Sequence, residues 1–312
     1  MSRKRIVMPP GRYSRVGTMG QAHILPLTLG HVSGYRVVGG IVRALLIALA
    51  VPVLNHLFMG FAGFLHLRRL SATWGEAFQA ADQEPLNYAL VQAASVGLIF
   101  IVAFPHRRRE GGFLEAVQVR PLLGAIVGVC FLAGIFLQLP LAETGNLVQE
   151  IWPVSFEDLA RRHQFVSPTT WWGGISALVA LVLVAPLTEE LLFRGWLLHD
   201  LKAQYGEPVA LIWSSALFGL AHIEAAAAIY AALGGLVLGA VALRTKSTLS
   251  SIAMHAGVNA LPLLLPATLI RIDGFNTLSP QVEHISWWLL AVSIGAAAGA
   301  LTLVWRSTSD QS

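Results

Sequence analysis

Glu189 and Glu190 stand side by side in the apolar stretch Leu178 to Leu201, with Arg194 four positions after the second. Charged groups at hydrocarbon depth are expensive and mark cavities, proton relays or reactive sites. Two later apolar stretches carry polar groups at one-turn spacing: Phe218 with His222, and His255 with Asn259. A carboxylate, two imidazoles and an amide form a set suited to peptide hydrolysis. One group takes a proton from water, another returns it to the leaving amine, and N–H donors hold the oxyanion of the tetrahedral intermediate. Glu190 and Arg194, at i and i+4, are placed to neutralise each other. Glu189 is turned about 100° from Glu190 round a helix, so it is free to point elsewhere and is the better base. Pro186 lacks a backbone donor three residues earlier and opens the helix there.

These residues need helices to carry them. The chain has 312 residues, 55% hydrophobic and 12% charged, against roughly 25% charged in soluble domains. That composition points to an all-α, polytopic membrane protein. The net charge of +4 sits in short segments between apolar stretches, which is membrane topology rather than nucleic-acid binding. Cys130 is the single cysteine and excludes an internal disulfide. The basic start of the chain lacks a short apolar core with a small-residue cleavage site, so no cleaved signal peptide is expected.

A spanning helix takes about 20 mostly apolar residues. About eight are expected: Val37–Leu65, Leu86–Phe104, Leu122–Leu141, Trp171–Leu201, Pro208–His222, Ala225–Leu243, Leu249–Leu269 and Trp287–Trp305. Residues 1–36 then form a basic cytoplasmic segment. Residues 37–170 hold three helices and an outer loop, 171–269 the catalytic core, and 270–312 a loop, the last helix and a short tail. Lys/Arg placement sets the orientation. With both termini in the cytoplasm, the inner segments hold Arg3, Lys4, Arg5, Arg12, Arg15, Arg36, Arg107, Arg108, Arg109, Arg120, Arg194, Lys202, Arg244, Lys246 and Arg306, fifteen of the 21 Lys and Arg. The outer segments hold Arg68, Arg69, Arg161, Arg162 and Arg271, and Arg43 lies within the first span. Residues 142–170 read equally as a surface amphipathic helix or a solvated loop.

Gly206-Glu207-Pro208 is a helix breaker. Glu189 and His222 each lie roughly 25 Å from it along their helices, hence at similar depth. His255 and Asn259 lie about 14–20 Å from the turn at Thr245-Lys246-Ser247, an overlapping depth. Glu224 reads as a loop residue, Asn55 and His56 as packing or cavity lining, and His66, His199 and His284 as interfacial.

The ordered motifs Glu189-Glu190-x-x-x-Arg194, Phe218-x-x-x-His222 and His255-x-x-x-Asn259 resemble those of the CAAX protease and bacteriocin-processing family. These glutamic intramembrane proteases include the type II CAAX prenyl endopeptidase. The first three spans and the tail match only in hydropathy. The resemblance implies eight transmembrane helices round an intramembrane cavity opening towards the cytoplasm and bilayer. It assigns Glu189 and His222 to water activation and His255 and Asn259 to the oxyanion, with Glu190, Arg194 and Phe218 in support and no cofactor. The implied setting is the cell membrane. The implied partners are the lipid bilayer and a membrane-associated or lipidated protein or peptide. Two other readings stay open. Two histidines and a carboxylate are zinc-type ligands, though no His-Glu-x-x-His helix is present. Glu189 also suits a proton-coupled transporter or a non-catalytic scaffold, though no internal repeat accompanies it.

Overall fold

The computed structural model describes residues 34–70, 73–103 and 112–308. The basic segment before Gly34, and Arg107 to Arg109, lie outside the described residues. In chain order the helices are α1 (Gly34–Leu70), α2 (Trp74–Asp82), α3 (Pro85–Ala103), the single turn α4 (Phe113–Ala116), α5 (Gly124–Ile151), α6 (Phe156–Val166), α7 (Trp171–Tyr205), α8 (Glu207–Leu220), α9 (Ala225–Thr245), α10 (Thr248–Leu264) and α11 (Trp287–Ser307). No strand occurs among the described residues. The protein is an all-α, multi-pass membrane protein.

Among the described residues six helices have the length and apolarity to cross a bilayer: Val38–Leu67, Pro85–Ala103, Gly124–Ile151, Trp171–Tyr205, Ala225–Thr245 and Trp287–Ser307. The sequence suggests eight. The other two are present but short. α8 has 14 residues and α10 has 17, so they extend about 21 and 26 Å, against about 30 Å of hydrocarbon. Both stop for local reasons. Beyond α8, Ile223 adopts φ 62°, a left-handed turn that a helix does not continue through. Beyond α10, Pro266 disfavours helical geometry at Leu265. The two short helices are those that carry His255, Asn259 and Phe218.

α10 packs chiefly on α5, and the contact is backbone to backbone. A Cβ at Gly134 would meet the Met254 carbonyl, and one at Gly257 would meet that of Phe131. Small residues on both helices let the axes come this close, as membrane interfaces favour.

The bundle has two distinct ends. At one lie the start of α1, α4, the α7–α8 and α9–α10 turns and the end of α11. There the Thr248 hydroxyl donates to the Val117 carbonyl at 2.8 Å, Arg244 donates to the Trp305 carbonyl at 2.8 Å, and Arg43 pairs with Asp200. At the other end lie α2, α6, residues 221–224 and the segment 265–286. There Arg162 bridges to Glu224 at 3.0 Å, and Asn146 donates to the Gly274 carbonyl at 2.7 Å. α6 resolves the open choice for residues 142–170. It is a helix capped by Ser155, whose hydroxyl accepts from the Asp158 amide at 3.1 Å. Its Phe165 ring meets Tyr88 edge-on, 5.7 Å between centroids.

In the 265–286 segment, His284 sits between two carboxylates, with Nδ1 2.7 Å from Glu143 and Nε2 3.1 Å from Glu150. Donating to both requires the imidazolium. The hydrogen bond to Glu143, aided by Glu150, raises the His284 pKa above 6.5. A raised folded-state value means the contribution is full below the unfolded value and is lost as pH rises through the folded one. The 265–286 segment should therefore exchange amide hydrogens faster, after correction for intrinsic rates, as pH rises above about 6.5. His284→Gln should remove that pH dependence. Because the side chain is 39% exposed, the effect should be modest and weaken in salt.

Candidate active site

α7 is not wound uniformly. Leu178–Val184 and Leu191–Leu197 are π-helical, and α-helical Ala185–Glu190 lies between them. The Ala185 amide reaches back five residues to the Ala180 carbonyl. The next residue, Pro186, has no N–H to give. The Leu181 carbonyl is thereby left without its backbone donor, and the Asn259 side-chain amide supplies one at 2.9 Å. Asn259 thus ties α10 to α7 with one N–H and keeps a second on the cavity wall.

The two glutamates part as their 100° offset requires. Glu190 is fully buried. Its Oε1 accepts from Arg194 Nη1 at 2.8 Å and from His255 Nδ1 at 2.9 Å. Arg194, equally buried, also donates to the Gly235 carbonyl at 3.2 Å, and its guanidinium lies 4.2 Å from the Phe218 ring centre. The Phe218 ring meets His222 at 4.9 Å and His255 at 5.7 Å, both edge-on. Phe218 is therefore a spacer that seats both imidazoles and caps the buried cation.

Glu189 faces the cavity and is 8% exposed. Its Oε2 lies 3.9 Å from His255 Nε2, too far for a direct hydrogen bond but a gap at which both atoms reach one water molecule. His255 gives its Nδ1 proton to Glu190, so Nε2 accepts when the ring is neutral and donates only when the ring carries both protons. His222 lies just past the end of α8, not on it as the one-turn spacing suggests. The left-handed turn at Ile223 follows at once. The His222 Nδ1 hydrogen bond to the Phe218 carbonyl, at 2.9 Å, makes Nδ1 the donor and leaves Nε2 as the acceptor. His222 lines the same two cavities as Glu189.

One partner of Glu189 carries no sequence signal. Gln92, buried in α3, donates Nε2 to Glu189 Oε1 at 3.1 Å, and its own Oε1 accepts from Asn55 Nδ2 at 2.7 Å. A lone glutamine in an apolar run reads as interhelical packing. Asn55 was expected to pack or line a cavity, and it does line one.

Two cavities meet at Glu189, Phe218 and His222. One, of about 530 Å³, lies towards α1 and α2 among Met59, Phe78, Val91 and Phe193. The other, of about 310 Å³, lies among Leu141, Leu181, Tyr230, Leu238 and Asn259. A third, of about 380 Å³ beneath α6, shares Gln138, Val166, Tyr230 and Pro262 with the second. All three reach towards the α6 end. Among the described residues, buried Val117, Leu197, Leu198 and Leu201 fill the opposite end. With the termini in the cytoplasm the α6 end is the outer one. Among the described residues no three His, Cys, Asp or Glu side chains group as metal ligands.

Residues 170–261 match the family model described as Type II CAAX prenyl endopeptidase Rce1-like. This stretch is similar to an Rce1-like domain. It runs from the Thr170 cap of α7 into α10 and contains every site residue named from the motifs. It leaves out α1 to α6 and α11, hence also Asn55 and Gln92. No curated protein and no solved structure matches the chain. The matched stretch is similar to a CAAX-type intramembrane endopeptidase, and the apolar helices set it in a lipid bilayer.

Proposed function

We propose that the chain is a glutamic intramembrane endopeptidase that cuts a membrane-associated or lipidated polypeptide without a cofactor. The observation that carries this reading is the separation of roles within the carboxylate pair. Glu190 is neutralised and locks His255, while Glu189 meets the cavity opposite His255 Nε2. Water between Glu189 Oε2 and the imidazole nitrogens gives a proton to Glu189 as its oxygen bonds to the peptide carbonyl carbon. The carbonyl oxygen becomes the oxyanion, held by the second N–H of Asn259 and by His255 when doubly protonated. Collapse breaks the C–N bond, and the proton passes to the leaving amine from Glu189, with His222 as relay.

The test is a quantitative comparison of membranes from cells with wild-type protein and with Glu189→Ala. One uncleaved precursor should accumulate in the variant. Identical processing of every membrane protein would overturn the reading.

Gln92 acts in this scheme as a positioning residue, since its amide turns the Glu189 carboxylate towards His255. A hydrogen bond to a charged group contributes about 1.5–3 kcal/mol. Gln92→Leu should lower kcat roughly 10- to 100-fold with KM nearly unchanged, measured on the accumulated precursor in proteoliposomes.

A further inference from the structure

We infer that the cavity holding Glu189 takes its substrate from the non-cytoplasmic side of the membrane. The substrate part of this statement rests on the peptidase reading; the orientation does not. Three observations combine.

The first is the position of the mouth. Its walls come from α2, α6, residues 221–224 and the 265–286 segment, including Asp82, Arg162, Ile223 and Glu224. Arg162 lines both the α1-side cavity and the one beneath α6, and its ion pair with Glu224 straps α6 to the cap of α9 between them.

The second is the seal opposite. Beneath Glu190 and Arg194 the α7 side chains Leu197, Leu198 and Leu201 are buried, and Val117 of the α4 turn lies under Gly195. A peptide arriving at the α7–α8 turn meets closed core and the Arg43–Asp200 pair.

The third is charge. Among the described side chains the sealed end carries Arg43, Arg120, Lys202, Arg244, Lys246 and Arg306, and the open end only Arg161, Arg162 and Arg271. The open end also holds the acids Glu76, Asp82, Glu143, Glu150, Glu157 and Asp158. The Lys/Arg excess marks the cytoplasmic face, so the sealed end is inside. The exposed Trp171-Trp172 and Trp287-Trp288 pairs fall at the open end, at the level of an interfacial aromatic belt.

The class of substrate follows. A chain terminus that stays in the cytosol cannot reach Glu189 without crossing the bilayer. The reachable class is the exported part of a membrane-anchored polypeptide, or a peptide held in the outer leaflet, presented as an extended segment to the cavity mouth.

Cysteine labelling tests this without any cleavage assay, so a failed peptidase reading and a failed orientation give different results. In a Cys130→Ala background, single variants Ala203→Cys at the sealed end, Gln281→Cys at the open end and Ala221→Cys in the cavity are exposed to a small membrane-impermeant maleimide. Sealed cells and lysed cells are compared. Gln281→Cys and Ala221→Cys should label in sealed cells, and Ala203→Cys only after lysis. Labelling of Ala203→Cys in sealed cells overturns the orientation. Labelling of Gln281→Cys with Ala221→Cys reactive only after lysis, or not at all, overturns access from that side.

Discussion

Glu189→Gln should leave a folded protein that no longer cuts its substrate. The replacement keeps the shape of the side chain and removes the carboxylate assigned to take the proton of the attacking water. General-base catalysis contributes about 10²–10⁴ in rate, so kcat/KM should fall by at least about 10². The melting temperature in detergent should hold, because Glu189 makes no close ion pair: its contacts are the Gln92 amide and the 3.9 Å approach to His255. A folded Glu189→Gln protein that keeps its activity would remove glutamate from the mechanism. One that loses both activity and stability would make the carboxylate a structural member. Glu190→Gln makes the contrast, since Glu190 accepts from both Arg194 and His255. Its loss should lower stability and activity together.

Arg194→Leu should cause the largest loss of stability of any single change in the site. The guanidinium is fully buried, bonds Glu190 and the Gly235 carbonyl, and stacks on Phe218. Removing one partner of a buried pair strands the other charge and costs about 3–5 kcal/mol. Arg194→Lys should recover little, because an ammonium has neither the planar fork nor the stacking face. The double variant Glu190→Gln/Arg194→Leu should be more stable than Arg194→Leu alone, since no buried charge is then left unpaired. It should stay inactive, since His255 loses the carboxylate that orients it. Melting temperatures of the four proteins form the cycle that isolates the coupling. Purely additive losses would show that the pair does not hold α7, α9 and α10 together.

Much of this site is written in the residue types. Adjacent carboxylates with an arginine one turn on, in a hydrocarbon-length run, have few structural uses, and their separation onto two faces follows from helix geometry. What escapes a linear reading depends on the backbone. Ile223 carries nothing that announces a left-handed turn, yet that turn takes His222 off its helix. The π-helical stretches of α7 are ordinary apolar sequence, and Pro186 hints at one of them only through its missing donor. Asn259 was expected at the oxyanion, yet one of its N–H groups serves Leu181. Gln92 and Asn55 are single polar residues in greasy helices, and only proximity to Glu189 distinguishes them from packing. Six of the eight expected crossings have the length to span, and the other two are shorter than expected because hydropathy does not register where a helix stops.

The wide windings on either side of the carboxylate pair make spacing in α7 stricter than composition. A leucine at 178–184 exchanges for valine or isoleucine with little consequence. Dropping one residue there while the wide winding persisted would swing everything after it by roughly a quarter turn. Glu189 would then face away from the histidines while every motif letter stayed in place. Homologues of this chain should accordingly tolerate substitution along that stretch far better than a change in its length.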